Sequence, residues 1–152
     1  MNTRKLQITQ LEARIALFEA TRKLPNPPKG WVKAIRQALG ISLEQLATKL
    51  SVTKQSVHNI EKREKEGAVT LKTLKETARA LDMDFVYGFV PKEGSLNQYI
   101  DNRARQLAQE IVSRTSNNMK LEDQENSKER LYAAIEERTN LIKEELPKAL
   151  WD

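Results

Sequence analysis

Ser42-Leu43-Glu44-Gln45-Leu46-Ala47-Thr48-Lys49-Leu50, then Ser51-Val52, then Thr53-Lys54-Gln55-Ser56-Val57-His58-Asn59-Ile60-Glu61-Lys62-Arg63 is the stretch whose reading decides the fold. It predicts two short helices joined by a tight turn. Ser42 and Thr53 each stand where a hydroxyl can accept one of the N–H groups left without a partner at a helix start. Ser42 and Gln45 also have the spacing of a capping box. Leu46 and Leu50 on the first helix, Val52 in the turn, and Val57 and Ile60 on the second supply a shared core. Each large side chain buried there contributes about 1.5–3 kcal/mol. Ala47 falls where two helices crossing closely require a small residue.

With Val57 and Ile60 turned inward, helical geometry turns Lys54, Gln55, His58, Asn59 and Lys62 outward. These types suit the major groove of DNA, and the layout is that of a helix-turn-helix. Gln55 and Asn59 can pair with adenine, Lys54 with guanine or a phosphate, and Ser56 with either, so the expected base contacts are Lys54, Gln55, Ser56 and Asn59. The helix start at Thr53 aims backbone N–H groups at a phosphate. His58 and Lys62 extend the phosphate contacts, and Arg36, Arg63, Lys65 and Lys72 flank them. The competing reading is a helical hairpin with a solvated polar face.

Composition fits this reading. The 152 residues are 39% hydrophobic and 31% charged, which suits a small folded helical protein. The net charge of +5 is uneven. Residues 1–29 carry six Lys/Arg against two Asp/Glu, residues 30–92 eleven against seven, and residues 93–152 nine against twelve. The front two thirds therefore suit a polyanion. No apolar run approaches the roughly 20 residues needed to span a bilayer, and no signal peptide is expected. With no cysteine, thiolate metal sites are excluded and a cytoplasmic location is the expectation. His58 is the one histidine, so neither a metal site nor a nucleophile–base pair finds support. The five glycines form no phosphate-cradling loop. No enzyme activity and no cofactor are expected.

Outside the central stretch, Ile8, Leu11, Ile15 and Phe18 predict a helix from about Thr3 to Leu24, ended by Pro25-Asn26-Pro27-Pro28-Lys29-Gly30. That stripe either packs within the chain or crosses to a second copy. Trp31, Ile35 and Leu39 mark the next helix, and Leu71, Leu74, Ala78 and Leu81, capped by Thr70, a further one. Asp84 to Pro91 is rich in aromatic and β-branched residues and predicts one short strand. A lone strand leaves its backbone groups unpaired, so pairing with a second copy, giving a two-fold dimer on a palindromic operator, is the expectation. The alternative is an extended segment lying on its own helices. Ser95 opens a long helix with Leu96, Ile100, Ala104, Leu107, Ala108 and Ile111 on one face, and a last helix with Leu131, Ile135, Leu141 and Leu146 ends at Pro147. The expected domains are an N-terminal helix and linker (1–29), a DNA-binding domain ending in the strand (30–92) and a C-terminal helical extension (93–152).

The pattern Ser42-x-x-x-Leu46-Ala47-x-x-Leu50-x-Val52-Thr53-x-x-Ser56-Val57-x-x-Ile60-Glu61 resembles the phage-repressor (Xre-type) helix-turn-helix. In that family the residues matching Lys54, Gln55 and Asn59 touch bases. Two positions depart from it. Leu43 replaces a glutamine that clamps a phosphate, and Ser51 replaces the turn glycine, so Ser51 must take up a conformation that disfavours side chains. The resemblance implies an all-α fold: a five-helix phage-repressor core with an N-terminal helix, the short strand and the C-terminal helical extension. Pro28-Lys29-Gly30-Trp31, Thr70-Leu71-x-x-Leu74, Phe85-Val86-Tyr87-x-x-Val90-Pro91, Met119-x-Leu121-Glu122-Asp123-Gln124 and Leu150-Trp151-Asp152 further resemble the bacterial family called mobile mystery protein A. Members are predicted DNA-binding proteins encoded beside a Fic-domain partner, so the resemblance implies a repressor or autoregulator, or an antitoxin-like module binding that partner through residues 93–152. The Ser/Thr-x-x-x-Glu-Gly/Asn motif that restrains Fic proteins is not found, since Lys62 precedes Glu66-Gly67 and Leu121 precedes Glu125-Asn126 at that spacing.

Overall fold

A computed structural model of the chain describes residues 3–116 and 127–152. Among these, every regular element is helical: α1 (Thr3–Ala16), α2 (Trp31–Ala38), α3 (Leu43–Leu50), α4 (Lys54–Glu66), α5 (Leu71–Ala80), α6 (Leu96–Ser116) and α7 (Ser127–Glu145), with 3-10 turns at Glu19–Lys23 and Lys148–Trp151. The contacts divide the chain into two units, Ala20–Gly88 and Met1–Glu19 with Phe89–Asp152. The division differs from the one expected, because the N-terminal helix shares a unit with the C-terminal helices. Met119 to Gln124 lies outside the described residues.

In the unit Ala20–Gly88, local side chains start the helices as their hydroxyls suggest. Ser42 accepts from Gln45 N at 3.0 Å while the Gln45 side chain accepts from Ser42 N at 2.8 Å, a complete capping box. Thr53 caps α4 through Ser56 N and Thr70 caps α5 through Thr73 N. Leu46, Ala47 and Val57 are buried with Val32, and Ile41, Leu43, Leu50, Leu74 and Leu81 pack around them. Ser51 adopts the left-handed conformation, φ 55° and ψ 42°, with its N–H directed at the Ala47 and Thr48 carbonyls. Val52, expected in this core, is 42% exposed. The buried side of α2 is also turned from the expected one. Val32 is inside, whereas Trp31 and Leu39 are exposed.

The strand expected at residues 84–91 is not formed. No strand occurs among the described residues, so the segment has no ladder to join and forms no regular element. Phe85 and Tyr87 stack with ring centroids 5.7 Å apart, and the Lys75 ammonium lies 5.4 Å from the Tyr87 ring centre. Val86 and Tyr87 are exposed.

The other unit is a helical bundle. Ala104 and Ala108, four residues apart and fully buried, put a small-residue face of α6 within its core, with Ile100 on α6, Ile142 on α7, and Leu146 and Leu150 after them. Ile8 of α1 packs against this cluster, whereas Leu11 of the same stripe is 48% exposed, so only part of the N-terminal stripe packs within the unit. The first helix stops at Ala16 instead of reaching Leu24, and Leu17 and Phe18 continue with tighter bonds to Arg14 and Ile15. The Glu12 carboxylate accepts from Leu96 N at 3.1 Å and Asn97 N at 2.9 Å, capping α6 from a different helix. Arg103 ties the 3-10 turn Lys148–Trp151 to α6 by donating to the Leu150 and Asp152 main-chain oxygens at 2.9 and 2.8 Å. On α7 the buried residues are Thr139 and Ile142, with Leu146 buried just after it, while Leu131 and Leu141 are exposed.

Candidate nucleic-acid interface

Helix α4 is the element that would read a groove, and its placement follows from its inner stripe. Val57 is fully buried and Ile60 half-buried. Two carboxylates continue the same stripe: Glu61 is buried and Glu64 half-buried. Positions 57, 60, 61 and 64 have the i, i+3, i+4, i+7 spacing of one helix face. Both acids are engaged within the unit. The Glu61 carboxylate receives Nε and Nη2 of Arg36 at 2.7 and 3.0 Å. Glu64 accepts from the backbone N–H groups of Trp31 and Val32 at 2.9 and 2.8 Å, capping α2 from α4. The cap at Gly30 itself has no side chain to offer. Gly30 sits at φ 89°, a conformation that favours glycine, and a Cβ there would lie 2.7 Å from Glu64 Oε1, so that an added side chain would also displace the capping carboxylate.

Arg36 therefore requires a correction. Expected on a phosphate, its side chain is 11% exposed and forms a two-bond ion pair with Glu61, and Nη1 donates to the Ile41 carbonyl at 3.1 Å. The hydrogen bond to Glu61 holds the guanidinium above its ordinary pKa, against the opposing effect of burial. It ties α2 to α4 and does not face outward. The signal for both residues of the pair was in the sequence: Val32 and Arg36 share a face at i, i+4, as Val57 and Glu61 do.

Opposite the buried stripe the structure brings Gln55, Asn59 and Lys62 to one outward face, with Lys54 and His58 beside them. Gln55 Nε2 donates to Asn59 Oδ1 at 3.2 Å. That bond leaves the Gln55 Oε1 and its second N–H free, the donor–acceptor pair that matches the adenine N6–N7 edge, and leaves the Asn59 amide nitrogen as a donor. The Thr53 hydroxyl accepts from Ser56 N at 3.0 Å and lies 2.9 Å from the Ser56 hydroxyl. The Lys54 ammonium lies 3.9 Å from Glu44, an exposed pair of little energetic weight. Lys62, Arg63, Lys65 and Lys72 are exposed. The unit Ala20–Gly88 holds thirteen Lys/Arg against seven Asp/Glu, a net +6, whereas the remainder holds thirteen against fourteen. The positive charge thus belongs to the unit that presents this helix.

Residues 32–87 match the helix-turn-helix family model HTH_3. The match runs from α2 through α5 into the segment that follows it, and it supports an Xre-like helix-turn-helix domain, hence a DNA-binding regulator in the general sense, of a kind that is generally not enzymatic. Comparison of the whole chain with curated proteins and with solved structures finds no match. Among the described residues no helix is long and apolar enough to cross a membrane.

Proposed function

We propose that the protein is a sequence-specific transcriptional repressor or autoregulator that places α4 in the major groove of an operator. The observation that carries this reading is the Gln55–Asn59 amide pair, exposed opposite the buried stripe of α4 in the unit that bears the net positive charge. Lys54, Gln55, Ser56 and Asn59 contact bases. Thr53, His58, Lys62, Arg63, Lys65 and Lys72 hold phosphates, and Arg36 drops out of that set because Glu61 and Ile41 engage it.

The protein binds as a homodimer on a palindromic site. Val86 at 73% and Phe89 at 87% exposure leave an apolar segment that a second copy would cover. Restraint of a Fic-domain partner is the alternative role. It rests on the sequence resemblance, and no contact described above favours it.

Selection of bound DNA from a random pool tests the reading. A palindromic consensus is expected from the wild type. Gln55→Ala and Asn59→Ala should keep the fold and lose preference at one base pair each, about 1–3 kcal/mol per good bidentate contact. Unchanged operator preference in both variants would refute the assignment of α4.

A further inference from the structure

At the front of α4, Leu43, Lys54, Gln55 and His58 line a shallow open notch. Leu43 is half-buried, with its inner side packed on the core of the unit and the rest of the side chain forming a wall of the notch. The polar ends of two of its neighbours have partners of their own. The Lys54 ammonium lies toward Glu44 at 3.9 Å, and the Gln55 amide donates to Asn59 at 3.2 Å. What faces the notch is the Leu43 side chain, the methylene stems of Lys54 and Gln55, and the His58 ring, so that its lining is mainly carbon.

An apolar notch set among base-reading side chains selects its occupant. A base edge carrying only donors or acceptors would lose water against Leu43 and gain no partner there. The apolar group that B-DNA presents in its major groove is the C5-methyl of thymine. We propose that this notch receives the 5-methyl group of a thymine lying beside the base pair that Gln55 reads. The proposal rests on the DNA-reading role of α4 and adds a specificity element that Leu43, which has no donor for a phosphate, is suited to supply.

The test uses the full chain and its selected operator, with each thymine replaced in turn by uracil, which removes the methyl group and keeps every hydrogen-bonding atom. Binding is followed by fluorescence anisotropy. At one thymine in each copy of the bound site, uracil should weaken wild-type binding about fourfold, the factor expected for one methyl-sized group leaving an apolar contact. In Leu43→Ala the thymine-to-uracil ratio at that position should fall toward one, and because it is a ratio within one variant it is independent of any general loss of affinity. If Leu43→Ala does not fold, the wild-type uracil series still decides. An operator without thymine beside the Gln55 position, or uracil effects all within twofold, overturns the proposal while leaving α4 as the reader. So does a Leu43→Ala variant that keeps the wild-type ratio. A pool that yields no preferred sequence overturns the DNA-reading role, and this proposal with it.

Discussion

Replacing Arg36 separates its two conceivable roles. A phosphate contact would show as lost DNA affinity in a normally stable protein, whereas the ion pair predicts the reverse. The guanidinium meets the Glu61 carboxylate through two bonds of 2.7 and 3.0 Å, with side-chain exposures of 11% and 5%. Arg36→Met leaves a buried carboxylate without its cation, and breaking such a pair from one side costs about 3–5 kcal/mol. For a unit of this size about 3 kcal/mol lowers the melting temperature by roughly 12–24 °C. That is a large part of the 5–15 kcal/mol that holds a small domain together.

The double variant Arg36→Met with Glu61→Leu removes both charges and should recover most of the loss, because an apolar pair of similar volume avoids the desolvation of both ions. A residue of about 1 kcal/mol remains, since the Ile41 carbonyl still loses its donor. Circular dichroism melts and urea titrations read the stability, and anisotropy at a temperature where each variant is folded reads DNA affinity. If Arg36→Met melts like the wild type and binds DNA weakly, the inward placement of Arg36 is refuted.

Gly30→Ala should destabilise the unit by about 1–3 kcal/mol in a urea titration, because the added Cβ meets the Glu64 carboxylate that caps α2 and the backbone there is left-handed. Lys62→Ala should weaken binding similarly on all sequences and reduce the slope of log affinity against log salt by about one, as expected for one lost phosphate contact. Phe89→Lys should shift the molar mass measured by light scattering from dimer to monomer without lowering the melting temperature of the monomer, since Phe89 is 87% exposed in the single chain; an unchanged dimer would remove this segment from the interface.

The helix-turn-helix was legible because its signals are local. Ser42, Thr53 and Thr70 cap the helices that their positions announce, and Leu46, Ala47 and Val57 are buried at spacings that a single helix dictates. What was not legible depends on partners distant in sequence or on polar groups that behave as apolar ones. Thr77 and Thr139 are buried, yet hydrophobic periodicity passes over both. Each hydroxyl donates to a carbonyl four residues earlier, to Thr73 at 2.8 Å and Ile135 at 2.7 Å, so nothing polar is left unsatisfied and the side chain packs like valine. The strand failed for a related reason. Val86, Tyr87 and Phe89 have the composition of a strand, but composition does not supply a neighbour to pair with. The N-terminal helix found its place through α6, which follows it by some eighty residues and receives the Glu12 carboxylate at its start.

The acidic residues of α4 show why a helix with three acids, counting Glu66 at its end, can still face a polyanion. A carboxylate on the outward side would repel phosphate over about the 8–10 Å that salt leaves unscreened. Glu61 is instead buried against Arg36, and Glu64 lies at the start of α2, where the N–H groups and the helix dipole favour negative charge. Each acid is compensated where it stands, on the side of α4 away from Gln55 and Lys62. The same contacts that hold α2 on α4 therefore keep negative charge off the reading face. Glu66 alone continues the outward row, at the last turn of the helix, beyond the Gln55–Asn59 pair. Reversing this arrangement by Lys62→Glu should damage DNA binding far more than Lys62→Ala does, and it should leave the melting temperature nearly unchanged. Equal effects of the two substitutions would mean that the outward face of α4 does not approach phosphate.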